Sequence, residues 1–168
     1  PFPPMEAELV SELPEHGAWR YEPKWDGFRG VLENDGGELA LWSRNGRPLL
    51  RYFPELRELG DLLPPHSALD GEIVITRDGK LDFDAMQMRL HPAESRIRKL
   101  AAATPAALTV FDMLLTPRGE DLRRSSLTDR HEALCAFVDD HAAGRLTVNP
   151  GTADLAEAQA WLDSGVYE

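Results

Sequence analysis

Two runs of strand-forming residues, at about 28–33 and 38–43, flank the segment Asn34-Asp35-Gly36-Gly37. Asp-Gly and Gly-Gly tolerate positive φ, so this stretch reads as a hairpin turn and commits the flanking runs to antiparallel pairing. A second turn, Arg77-Asp78-Gly79-Lys80, follows a strand-like run at about 68–75, and further runs stand at about 18–24, 108–115 and 146–149. Helical spacing of apolar residues occurs at about 54–62, 83–90, 93–102, 128–142 and 153–164. Thr128, and either Thr152 or Asp154, are N-cap candidates for the last two. The strand and helix patterns mix without a βαβ rhythm, which predicts an α+β domain with largely antiparallel sheets and packed helices.

With 168 residues the chain holds one hydrophobic core and little room for a second. Pro1 rather than Met opens it, as expected of a piece trimmed from a longer chain. No apolar run reaches the length that spans a bilayer and no signal-peptide pattern is present, so no membrane partner is expected. Cys135 is the single cysteine, which rules out an internal disulfide and fits a reducing, cytoplasmic setting.

The charge balance runs against a simple nucleic-acid reading. Lys and Arg number 18 against 29 Asp and Glu, a net charge of −11, whereas nucleic-acid binders usually carry a basic footprint. The imbalance is uneven. Residues 131–168 carry Arg145 against seven acidic residues, while residues 86–100 carry Arg89, Arg96, Arg98 and Lys99 against Glu94 alone. A DNA contact is therefore expected on one face only.

Lys24 stands at the end of the run at 18–24 and leads into Trp25-Asp26-Gly27-Phe28-Arg29. An amine attacks an electrophile only in its neutral form, so a reactive lysine needs desolvation or a cationic neighbour. Trp25 and Phe28 are candidates for apolar cover and Arg29 for positive charge. Taken alone, these residues describe an exposed strand-end lysine paired with Asp26 better than a nucleophile.

Four segments in order change that balance. Lys24-Trp25-Asp26-Gly27-Phe28-Arg29 resembles the Lys-x-Asp-Gly-x-Arg motif of the covalent nucleotidyltransferases. Ser43-Arg44-Asn45-Gly46, Leu69-Asp70-Gly71-Glu72 and Thr109-Val110-Phe111-Asp112-Met113-Leu114-Leu115 are similar to that superfamily's second, third and fourth motifs, and Glu168 stands where the fifth begins. Phe83-Asp84-Ala85-Met86-Gln87-Met88-Arg89 resembles the Phe-x-x-Leu-Gln-x-Arg helix of ATP-dependent DNA ligases, and Phe53-Pro54-Glu55-Leu56 and Leu127-Thr128-Asp129-Arg130 also look like ligase segments. The resemblance covers nearly the whole chain.

The resemblance implies an ATP-grasp-like nucleotidyltransferase domain over residues 1–168. It also implies a lysine–AMP mechanism. Lys24 attacks the α-phosphate of ATP, the AMP passes to the 5′-phosphate of a nick in double-stranded DNA, and the 3′-hydroxyl seals the strand. Glu22, Lys24, Arg29, Arg44, Glu72 and Phe111 are the nucleotide-binding residues it implies, with Phe111 stacking on adenine, and Glu72 and Glu168 the ligands of Mg²⁺. The alternative for each is plain: Glu22 a strand-edge acid, Arg29 a surface residue, Glu72 a surface acid on a strand, and Phe111 a core side chain. Gln87 and Arg89 would either touch DNA or support their helix. The histidines lack metal-ligand spacing, and Cys135 is expected to be a packed thiol.

The family's downstream Lys-x-Lys strand and OB-fold domain fall outside these residues. A monomer that adenylates weakly and seals nothing by itself is therefore implied, from a bacterial-type parent acting in DNA repair, replication or recombination. Two alternatives stay open: an RNA ligase or GTP-using capping-type nucleotidyltransferase, and a non-catalytic nucleotide-binding module.

Overall fold

A computed structural model describes residues 2–35, 37–140 and 145–167 of the chain. Strands β1 (Phe28–Asp35) and β2 (Glu38–Trp42) form the expected hairpin, with Asp35 opposite Glu38. Gly37 takes φ +100°, and its N–H is held by Asn34 Oδ1 at 3.2 Å. β3 (Ser67–Val74) pairs antiparallel with β1 on one side and with β6 (Ala107–Leu115) on the other. β7 (Leu146–Val148) joins the far edge of β6 in parallel. Among the described residues the resulting five-stranded sheet runs β2-β1-β3-β6-β7. The predicted turn at 77–80 also forms, between the short strands β4 (Thr76–Arg77) and β5 (Lys80–Leu81). Asp78 and Gly79 both lie at positive φ, as a tight two-residue hairpin requires.

One face of the sheet carries the main core. Leu32, Leu69, Ile73, Leu108, Val110 and Met113 pack there with Phe53, Leu56 and Leu59 and with Leu134, Phe137 and Val138. The last three project from α4 (Leu127–Asp140), which forms the crossover between the parallel strands β6 and β7. α2 (Phe83–Met88), α3 (Glu94–Ala103) and α5 (Leu155–Asp163) fall where helical spacing placed them. The predicted helix at 54–62 splits into a 3-10 stretch (Pro54–Glu58) and a single turn, α1 (Leu59–Leu62). Asp154 caps α5 through a 2.9 Å bond from Ala156 N, as expected. Thr128 does not cap α4. The helix begins one residue earlier and Ser126 Oγ accepts the Asp129 N–H.

The predicted strand at 18–24 does not form. Pro23 has no N–H to give a ladder, and the segment keeps only a two-bond bridge between Tyr21 and Thr152. Among the described residues, no helix is long and apolar enough to cross a membrane.

Arg89 joins several of these pieces. It is completely buried, so it does not touch DNA. One terminal nitrogen donates to Tyr52 O and Glu55 Oε1, each at 3.0 Å; the other donates to Glu55 Oε2 and, at 2.8 Å, to Thr104 O. Its guanidinium also lies 5.4 Å from the Phe53 ring centroid. Removing one member of a buried ion pair strands the other charge in a low-dielectric interior. Arg89→Ala is therefore expected to lower unfolding stability by about 3–5 kcal/mol, measured by urea denaturation. A loss below about 1 kcal/mol, the range of exposed pairs, would show that the pair does not brace the fold.

Candidate active site

The face of the sheet opposite the main core carries charge. Side chains alternate along a strand, so with Leu32, Leu69 and Ile73 turned into the core, Arg29, Asp70 and Glu72 turn the other way. The register places Arg29 opposite Glu72 and Val31 opposite Asp70. Asp70 is fully buried, and Arg29 grips it with a fork: Nε to Oδ1 at 3.1 Å and Nη2 to Oδ2 at 2.7 Å. Arg29 Nη2 also donates to Met5 O at 2.8 Å, so the N-terminal segment crosses this face. Burial pushes the Asp70 carboxyl up while Arg29 pulls it down, and Asp70 in turn holds the guanidinium charged.

A β-bulge brings in Phe111. Across β3 and β6, Asp70 faces Asp112 and the next residue, Gly71, faces Val110, leaving Phe111 as the extra residue. Its ring lies under Arg29, 5.3 Å from centroid to guanidinium carbon, and it is half-buried, outside the main core. Asp112 is gripped by Arg130 of α4, whose Nε donates at 2.9 Å, and its charge acts on Asp70, Arg29 and Glu22.

Two motif glycines are needed for closeness rather than for turning. A Cβ on Gly27 would stand 2.2 Å from Ile73 O, and one on Gly71 would stand 2.6 Å from Thr109 O. Gly27 thus lets the chain leaving Lys24 lie against β3, with its N–H near the Glu72 carboxylate. Burial raises the Glu72 carboxyl to about 7, against the opposing pull of Arg29, that N–H and Lys24.

Lys24 itself is exposed. The expected apolar cover is not supplied as foreseen: Phe28 packs edge-on to Phe53 and Phe83 in the core, and Trp25 lies edge-on to Tyr167. A cavity of about 460 Å³ opens beside Lys24, lined among others by Tyr21, Glu22, Trp161 and Tyr167. Glu22 is half-buried there, bonded by Arg20 Nε at 3.2 Å, and burial pushes its carboxyl up.

The structure brings Glu22, Lys24, Arg29, Glu72 and Phe111 into one neighbourhood. Arg44 is exposed on the turn after β2, with its guanidinium 3.6 Å from Glu6, the residue after the Met5 that Arg29 bonds. Glu168 lies outside the described residues. Three residues escaped the sequence reading. Asp70 was read only as part of a motif, and Asp112 likewise. Asn149 stands out only as the last residue of the strand-like run at 146–149. It is nearly completely buried. Its Nδ2 donates to Pro23 O at 3.0 Å, its Oδ1 accepts from Trp25 Nε1 at 2.6 Å, and its backbone N–H reaches Val110 O at 2.7 Å.

Known proteins resemble this chain in sequence and in fold. DNA ligase C of Mycobacterium tuberculosis is 44% identical over 166 residues, covering 96% of this chain and 46% of the relative. The bifunctional non-homologous end joining protein LigD of Bacillus subtilis is 33% identical, over 87% of this chain and 24% of that protein. A structure of mycobacterial DNA ligase D complexed with ATP and MES superposes with a TM-score of 0.71 at 31% identity, over 89% of this chain and 46% of that one. The chain spans less than half the length of each of these relatives. Residues 4–168 match the ATP dependent DNA ligase domain, and the chain belongs to that family.

Proposed function

We propose that Lys24 is the nucleophile that carries AMP in an ATP-dependent DNA ligase acting in the cytoplasm on nicked double-stranded DNA. The observation that carries this reading is the placement of Lys24 beside one charged sheet face, with Glu72 close enough to feel its charge and Arg29 fixed behind by Asp70. The ATP bound by the mycobacterial structural relative supports the choice of nucleotide.

In this reading the neutral Lys24 amine attacks the α-phosphorus, an N–P bond forms, the bond to pyrophosphate breaks, and the amine's proton leaves to solvent. The AMP then moves to the 5′-phosphate of the nick, and the 3′-hydroxyl displaces it. Arg29 cannot wander, because Asp70 and Met5 hold it, so it presents preorganised positive charge to a nucleotide oxygen. It covers one face of Phe111; adenine would stack on the other. Glu22 would face the adenine amino group from the cavity wall, and Arg44 would reach a phosphate of the nucleotide or the DNA.

Among the described residues, no three His, Cys, Asp or Glu side chains converge on a point that would hold a metal ion. Magnesium keeps several waters and takes one or two carboxylates beside substrate phosphates, so Glu72 suffices as its described protein ligand, with Glu168 as a second. The ion would neutralise charge on the phosphate oxygens.

Incubating the full-length protein with labelled ATP and Mg²⁺ is expected to yield a covalent protein–AMP, with GTP giving none. Lys24→Ala lowers its formation by at least about 1000-fold, yet seals a nick supplied already carrying 5′-AMP. Label on Lys24→Ala at the wild-type level would sink the assignment. A second expectation concerns pH. Ribose or metal binding needs the Glu72 carboxylate, and burial holds its pKa at about 7, so the labelling rate rises with pH through that value. Glu72→Gln labels more weakly and loses this step from the pH–rate profile. An unchanged profile would remove Glu72 from the site.

A further inference from the structure

Asn149 touches the chain immediately before and immediately after Lys24, and we infer that it is a positioning residue for that lysine. Its single carboxamide donates to Pro23 O and accepts from Trp25 Nε1, straddling Lys24, while its own backbone is pinned to Val110 O. This inference rests on Lys24 being the nucleophile.

The local chain has few other means of holding its course. Pro23 cannot donate to a ladder, and upstream the described support is the Tyr21–Thr152 bridge and the Tyr21 hydroxyl on Pro14 O. Lys24 is exposed, and the path of its backbone sets where its side chain starts. That path is set by Asn149 on one side and by the close seat of Gly27 on β3 on the other. Asn149 also follows β7, and its N–H bonds the carbonyl of the residue preceding Phe111. Lys24 and the ring proposed to hold adenine are thereby referenced to one strand end. The chemistry of the side chain fits this task. A carboxamide offers a donor and an acceptor at opposite corners of one rigid plane, whereas a carboxylate there would set an oxygen against Pro23 O. Both of its polar atoms are used and buried, so the side chain has no freedom to let the loop drift.

In-line attack is sensitive to such drift, since a misplacement of about 1 Å can cost about 100-fold in rate. The test measures single-turnover lysine–AMP formation in the full-length protein over a range of ATP concentrations, with thermal unfolding followed in parallel. Asn149→Ala removes both bonds. Trp25→Phe removes only the indole donor and keeps a ring against Tyr167, so it decides the matter if the first variant fails to fold. Each is expected to slow the step about 10- to 100-fold at saturating ATP, with the ATP concentration for half-maximal rate changed less than about threefold. The two effects in the double variant fall short of additive, as for residues sharing one bond.

Folded variants that label at the wild-type rate would overturn the inference while leaving Lys24 as the nucleophile. A slowing that merely tracks a lost folded fraction, or a raised ATP requirement, would also overturn it, as a structural role. Absence of protein–AMP in the wild type, or its persistence in Lys24→Ala, would remove the reading of Lys24 and this inference together.

Discussion

The register between β1 and β3 is the constraint on which the rest of the site depends. It sets Arg29 opposite Glu72 and brings Asp70, two residue pairs along, within reach of the Arg29 fork. A slip of one residue would turn all three into the apolar core. The close seat of Gly27 on Ile73 O supports that register, and that of Gly71 on Thr109 O supports the neighbouring pairing of β3 with β6, because no side chain fits at either place. Burying Asp70 completely is expensive, and even a well-made ion pair seldom outperforms apolar packing. The pair is better understood as holding a guanidinium in one orientation on a charged face than as a source of stability.

The same balance runs through the other buried ion pairs. Arg89 with Glu55 joins the 3-10 stretch, α2, the end of α3 and the start of β6. Arg130 with Asp112 ties the first turn of α4 to the bulged strand that carries Phe111. Arg89 sets both terminal nitrogens on its carboxylate, while Arg130 gives its Nε to Asp112 and Nη1 to Ser125 O, a spread of donors that lysine lacks. The chain thus uses arginine to fix helices to the sheet, and the strong overall negative charge does not describe its interior. The locally basic stretch at 86–100 is partly structural, since Arg89 is consumed inside the fold.

Much of the architecture was legible because it rests on local chemistry. Asp-Gly and Gly-Gly turns located both hairpins, and alternation located β1, β2, β3, β6 and β7 within a residue or two. The misses have local causes too. The apolar and aromatic run at 18–24 looks like a strand until Pro23 is asked for its N–H. Ser126 took the cap assigned to Thr128, because the helix starts one residue sooner. Whether Arg89 faces solvent or core, or whether Phe111 is core or site, turns on tertiary placement: periodicity cannot see a bulge. Asn149 lies more than a hundred positions from the lysine segment it braces, beyond the reach of any local pattern. The motif residues on β1, β3 and β6 do converge, while Arg44 sits on the turn after β2, held towards Glu6.

Taken together, the sheet supplies a rigid charged floor and the segment from Tyr21 to Gly27 is laid across its edge. Two bonds to Thr152, two to Asn149 and the close seat of Gly27 on β3 hold that segment. The central claim is that Lys24, at the middle of this segment, is where the nucleotide becomes attached. Mass-spectrometric peptide mapping of the full-length protein after reaction with ATP and Mg²⁺ tests it most directly. The adduct of one AMP is predicted on Lys24 and on no other residue; an adduct on a different side chain, or none under conditions in which the protein seals nicks, would contradict it.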